Sequence, residues 1–219
     1  MRSRTWRVIS VAALLSVLGS CSSDRAERSA PAAAEATVIA PPTTPPVRTV
    51  AVVGDSITNG SEMALREQLG VLDVDITVID AEDGRRMVSD GMGGSGIQSL
   101  TMLASNPPDL WVIALGTNDV GQYEGAEGYA PVIDELIAAV PAEAPLVWVD
   151  VYVESSPDAS AEFNATLRDE LEERGNATIV NWADLAAEEG VLRDGIHPSG
   201  YGIEQFAEMV TRAVAQYTS

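Results

Sequence analysis

Two residues far apart in the chain have the types needed for acyl transfer. Ser56 lies in Gly54-Asp55-Ser56-Ile57-Thr58, directly after the apolar run Val50-Ala51-Val52-Val53. His197, the sole histidine of 219 residues, lies in Asp194-Gly195-Ile196-His197-Pro198. A serine hydroxyl attacks a carbonyl only when a base takes its proton. His197 is the one side chain here whose ordinary titration range brackets neutrality. Asp194, three residues earlier in the same loop, can fold back onto Nδ1 and leave Nε2 for Ser56. Each half has a plainer explanation, because Gly-Asp-Ser is a common turn and a lone histidine is often structural. Their occurrence at opposite ends of one α/β pattern is what points to a nucleophile, a base and an orienting carboxylate.

The elements that must position these groups follow from hydrophobic periodicity. Val50–Val53, Asp75–Asp80, Leu110–Leu115, Leu146–Val153 and Thr178–Trp182 read as five strands, several of them apolar on both faces. Between them, Ser61–Leu69, a stretch from Ile97 to Leu103, Tyr129–Val140, Ala159–Arg174 and Ile203–Tyr217 carry apolar residues at helical spacing, with a shorter helix near Leu185. Alternation of this kind predicts an α/β fold, a three-layer α/β/α sandwich around a five-stranded parallel sheet. Ser56, the Gly84–Gly96 loop and Gly116-Thr117-Asn118-Asp119 then follow three successive strands, so they share one rim of the sheet. No repeat or second folded domain is visible.

The N-terminus has a different character. Residues 1–21 read as an export signal, with Arg2, Arg4 and Arg7 before an apolar stretch from Val8 to Leu18 that is short for a membrane span. It ends in Leu18-Gly19-Ser20-Cys21, similar to the lipobox of bacterial lipoproteins, which implies lipidation of Cys21, the only cysteine. The alternative is a secretory signal cleaved nearby. Either reading takes the protein out of the cytoplasm, the first to the outer face of the cytoplasmic membrane with membrane contact through Cys21 alone. Residues 22–47, rich in Ala, Pro, Ser and Thr, read as a disordered tether before a folded domain over 48–219.

All 13 basic residues are arginines against 33 acidic ones, a formal net charge of −20. Such a surface repels phosphate backbones, which argues against nucleic-acid partners. No cluster of Cys, His and carboxylates has ligand spacing, so neither a catalytic metal nor a cofactor is expected. A monomer is expected.

Taken in order, these blocks resemble the SGNH hydrolases, also called the GDSL esterase/lipase family, over about residues 49–215. Gly54-Asp55-Ser56-Ile57-Thr58, Gly116-Thr117-Asn118-Asp119 and Asp194-Gly195-Ile196-His197-Pro198 match three of its motifs in order and spacing. The resemblance implies a flavodoxin-like sheet and a Ser56–His197–Asp194 triad. It also implies an oxyanion hole made by the Ser56 N–H, a glycine N–H after the second strand and the Asn118 amide. Gly84 is the favoured glycine because it follows Ile79 closely, with Gly91, Gly93, Gly94 and Gly96 as competitors. Asp-Ala-x-x-Gly-Arg at 80–85 and Val180-Asn181-Trp182 look more loosely like SGNH domains that accompany membrane acyltransferases acting on cell-surface glycans. The implied function is an esterase for O-acetyl or short acyl esters of extracellular glycans or small lipids. The alternatives are an acyltransferase onto a cell-envelope glycan and a catalytically silent glycan-binding module. Asp55 is expected to cap a turn or helix, and Arg85 and Arg86 to form surface ion pairs.

Overall fold

The strand that carries Ser56 to the rim is the most enclosed part of the sheet. In the computed structural model, which describes residues 36–38, 47–89 and 94–218, this is β2 (Thr49–Gly54), after a two-residue β1 (Thr37–Val38). There follow α1 (Ser56–Leu69), β3 (Asp75–Ala81), α2 (Gly96–Leu103), β4 (Leu110–Ala114) and a 3₁₀ turn at Thr117–Asp119. The chain continues through α3 (Gly125–Ala139), β5 (Leu146–Val149), α4 (Pro157–Arg174), β6 (Ala177–Val180), α5 (Trp182–Ala186) and α6 (Gly200–Ala215).

The sheet runs β1-β6-β5-β4-β2-β3, and every pairing is parallel except that of β1 with β6. The parallel core matches the sequence expectation, and the sixth strand is a correction to it. Thr37 and Val38, inside the stretch read as tether, pair with Ile179 and Thr178. Two β-branched residues in a Pro/Ala-rich segment give too little alternation to mark a strand. Cys21 and the stretch read as an export signal lie outside the described residues.

Alternate side chains of each strand feed opposite faces. Val50 and Val52 join Leu110, Val112, Val147 and Val149 beneath α1, α5 and α6, with Leu65, Trp182, Phe206 and Val210. Val53, Trp111, Ile113 and Trp148 face the other way, into Leu100, Tyr129, Leu136, Phe163 and Leu167 of α2, α3 and α4. Two cores on one sheet make the three layers. Trp148 secures its ring by donating Nε1–H to the Leu115 carbonyl at 3.1 Å.

From β2 the chain moves to β3 on one side, then crosses to β4 on the other. The order therefore reverses between β2 and β4, the place where a doubly wound sheet opens a crevice at its carboxyl edge. Gly116, just past β4, holds φ at 122°, and a Cβ there would strike the Phe163 ring. Glycine thus lets the chain turn sharply into the 3₁₀ turn that carries Asn118.

Candidate active site

Ser56 is the first residue of α1, five residues earlier than periodicity places the helix start, because Ile57 alone among Ser56, Thr58, Asn59 and Gly60 gives too few apolar positions to count. Asp55 is the N-cap: its Oδ1 accepts the Ile57 N–H at 2.9 Å, the role expected for it. The Ser56 N–H belongs to the first helical turn, whose amides have no intrahelical acceptor and lie at the positive end of the helix. Gly54 allows this close packing, since a Cβ there would overlap the Thr58 side chain.

The structure brings the other two candidates to Ser56. Its Oγ lies 3.1 Å from Nε2 of His197, across 141 residues of sequence. On the far side of the imidazole, Nδ1 lies 3.0 Å from Oδ2 and 3.2 Å from Oδ1 of Asp194. The His loop is a tight turn stapled at its base, where Arg193 N–H donates to the His197 carbonyl at 2.9 Å and Ser199 N–H to Val191 O at 2.8 Å. Asp194 closes the turn on itself: Oδ1 accepts the backbone N–H groups of His197 (2.8 Å) and Ile196 (3.2 Å). The hydrogen bonds from the His197 backbone and ring hold the Asp194 carboxyl at about 2, well below its usual range. The β5–α4 connection buttresses the loop, with Glu154 N–H donating to Gly195 O at 2.9 Å.

Asn118, on the 3₁₀ turn after β4, donates Nδ2–H to the Arg85 carbonyl at 3.0 Å and to Asp55 Oδ2 at 3.3 Å. Both amide hydrogens are therefore engaged, the second by the longer bond. Gly84 follows β3 by three residues with φ 74°, next to the carbonyl that receives Asn118. Among its competitors, Gly96 directs its N–H to Arg86 O at 2.8 Å, and Gly91 and Gly93 lie outside the described residues.

Three supporting residues were missed or misread from sequence. Arg85, expected at the surface, is buried and donates to Gly54 O at 3.2 Å, Asp80 O at 2.6 Å and Asp80 Oδ1 at 2.8 Å. It therefore ties the ends of β2 and β3 together directly behind Ser56; the acid five residues before it was the available clue. Asp119, fully buried, accepts the Met87 N–H at 3.1 Å and so fastens the Asn118 turn to the loop after Gly84. Asp150, at the end of β5, accepts the Ala183 N–H at 2.7 Å at the start of α5.

These interior carboxyls make stability depend on pH in a definite sense. Burial pushes Asp55 up to about 7 against the hydrogen bonds from Ile57 and Thr117. Burial likewise pushes Asp150 to about 7 and Asp119 to about 6. In the unfolded chain an aspartate titrates near ~3.9. Between those limits the folded state keeps protons that the unfolded state has released, so this contribution is complete below pH ~4 and lost as pH climbs through 6 and 7. Asp194 acts oppositely, its contribution being present above pH ~4 and lost as pH falls towards 2. Thermal melts followed by circular dichroism should therefore show the melting temperature rising from pH 8 to pH 5 and dropping below pH 4. A melting temperature that climbs from pH 5 to pH 8 would contradict this.

No group of three or more His, Cys, Asp or Glu among the described residues could hold a metal ion, and no helix among them is long and apolar enough to cross a membrane.

The sequence pattern of the GDSL-like Lipase/Acylhydrolase family matches residues 52–204. The chain belongs to this family. As a GDSL-like acylhydrolase it is an enzyme of the hydrolase or acyltransferase class. Solved structures of the same fold include the catalytic domain of peptidoglycan O-acetyltransferase A (OatA) from Streptococcus pneumoniae, with TM-score 0.62 and 19% identity over 79% of this chain and 96% of that one. A carbohydrate esterase family 3 protein from Talaromyces cellulolyticus has TM-score 0.61 and 16% identity over 77% and 97% of the two chains. A member of the lipolytic G-D-S-L family from Veillonella parvula has TM-score 0.58 and 18% identity over 75% and 97%. At such identities the GDSL-like fold is what they share. No curated protein matches the chain in sequence.

Proposed function

We propose that this GDSL-like acylhydrolase is a serine esterase that removes O-acetyl or short acyl groups, from extracellular glycans or small lipids, through an acyl-enzyme on Ser56. The observation that carries this reading is the Ser56 Oγ to His197 Nε2 separation of 3.1 Å with Nδ1 held against Asp194. Ser56 Oγ bonds to the ester carbonyl carbon while its proton passes to Nε2. The carbonyl oxygen, now an oxyanion, lies towards the Ser56 N–H at the head of α1, the Gly84 N–H and Asn118 Nδ2. It exchanges with Asp55 Oδ2 for the weaker of the two Asn118 hydrogen bonds. The ester C–O bond then breaks, and the alcohol leaves with the proton from His197. Water, deprotonated by the same imidazole, releases the acid and restores Ser56.

The His197 side chain is 32% exposed, so water can reach the base, as release of the acyl group by hydrolysis requires. The acyltransferase reading has its support in a relative of this fold that acts as a peptidoglycan O-acetyltransferase. The basic start, the apolar stretch Val8–Leu18 and Leu18-Gly19-Ser20-Cys21 support the proposed export and lipidation at Cys21, on the outer face of the cytoplasmic membrane, with secretion after cleavage nearby as the alternative.

A fluorophosphonate probe should label the protein stoichiometrically and leave Ser56→Ala unlabelled, with p-nitrophenyl acetate hydrolysed faster than long-chain esters. Absence of labelling in the wild type would leave a silent binding module. Acetylation of an added neutral glycan in preference to acetate release would make the enzyme a transferase.

A further inference from the structure

A second concavity of about 500 Å³ lies where α4, α5 and the residues after β5 meet. Neither Ser56, Asn118, Asp194 nor His197 lines it. Its volume is that of a small-molecule site, and its wall holds Tyr152, Pro157, Asn164, Ala165, Arg168 and Asp184. Arg168 is half-buried, and no carboxylate among the described residues lies within ion-pair distance of it, whereas Arg66, Arg85, Arg193 and Arg212 each face one. Its attraction is to Asp150, whose carboxyl is already occupied by the amides at the start of α5. Asn164 uses Oδ1 and one amide hydrogen on the Val151 backbone, at 2.9 and 2.8 Å, and keeps the other hydrogen. Asp184 is exposed and supplies acceptors.

We infer that this concavity binds a neutral sugar ring. The charge balance decides among ligand classes. An anion would approach a chain with 33 acidic residues against 13 basic and meet the exposed Asp184 beside the single guanidinium. A cation would meet Arg168, and an apolar ligand would strip water from Arg168 and Asp184 without replacing its hydrogen bonds. A pyranose has no charge, and adjacent hydroxyls that each donate and accept. Those hydroxyls match the fixed fork of Arg168, the carboxylate of Asp184 and the spare Asn164 hydrogen. Its C–H face matches the Tyr152 ring and the short Ala165 side chain.

The test is calorimetric titration of the full chain carrying Ser56→Ala, so that a failure of the esterase reading leaves it intact and no probe is turned over. The probes are mannotetraose, xylotetraose and tetra-N-acetylchitotetraose, with tetragalacturonate as the anionic counterpart. At least one neutral tetrasaccharide should bind in the millimolar range or tighter, and tetragalacturonate should bind about tenfold more weakly or worse. Arg168→Gln should weaken binding about tenfold or more through the lost charged hydrogen bonds. Ala165→Trp, a change at an exposed position that fills the concavity, should abolish it. Failure of all three neutral probes, undiminished binding in Ala165→Trp, or a preference for tetragalacturonate would overturn the assignment.

Discussion

Ser56→Ala and His197→Ala are each expected to lower kcat on p-nitrophenyl acetate by on the order of 10⁴–10⁶-fold, and the double variant by little more than either. The two side chains act as one unit, because the hydroxyl has no reactivity without a proton acceptor and the imidazole no task without the hydroxyl. No substitute base is at hand. His197 is the only imidazole, and the Asp55 carboxyl next to Ser56 is turned to the Ile57 N–H and the Asn118 amide. Alanine is a strong helix former and Ser56 opens α1, while the His197 ring is partly exposed, so neither change should disturb the fold. Steady-state turnover with a circular-dichroism melt on each variant checks this. Turnover of His197→Ala within tenfold of wild type would remove His197 from the mechanism.

The second large effect concerns Asp194, and its informative feature is an order of severity. Oδ1 of Asp194 already accepts two backbone N–H groups, from Ile196 and His197, while Oδ2 faces Nδ1. In Asp194→Asn the amide oxygen must take the backbone donors, which turns the NH₂ group onto Nδ1. That forces the ring proton onto Nε2 and removes the lone pair that should receive the Ser56 proton. The comparable change at a buried triad aspartate lowers kcat by about 10⁴-fold. Here the Asp194 side chain is 49% exposed, so water can partly replace it, and a loss of about 10²–10³-fold in kcat/KM is expected. Asp194→Ala leaves the imidazole free to take either tautomer and should lose less than Asp194→Asn. If the asparagine variant were the more active of the two, control of the tautomer would not be the task of Asp194.

Those residues were legible in the sequence because each sits in a short block whose type and position carry chemical meaning. The alternation of strands and helices was legible for a similar reason, since runs such as Leu110–Ala114 are apolar on both faces. What escaped were features with no local signature. The first turn of α1 has one apolar residue, Ile57, among Ser56, Thr58 and Asn59, so its start was read late. Arg85 looks like a surface residue until the ends of β2 and β3 close around its guanidinium. Asp119 and Asp150 gain their places from amides 32 and 33 residues away, which no spacing rule anticipates. The engagement of both Asn118 hydrogens, one by the N-cap of α1, is likewise a property of packed loops.

The antiparallel strand at Thr37–Val38 has a protective duty at the edge of the sheet. It covers the outer backbone of β6, a strand whose residues Ala177–Val180 are all interior. The opposite margin, β3, opens on Asp75, an exposed charge that discourages a second chain from adding there. A truncated chain beginning at Val47 would bare the amides of β6 with no such charge to guard them, and strand addition between molecules is how it would fail.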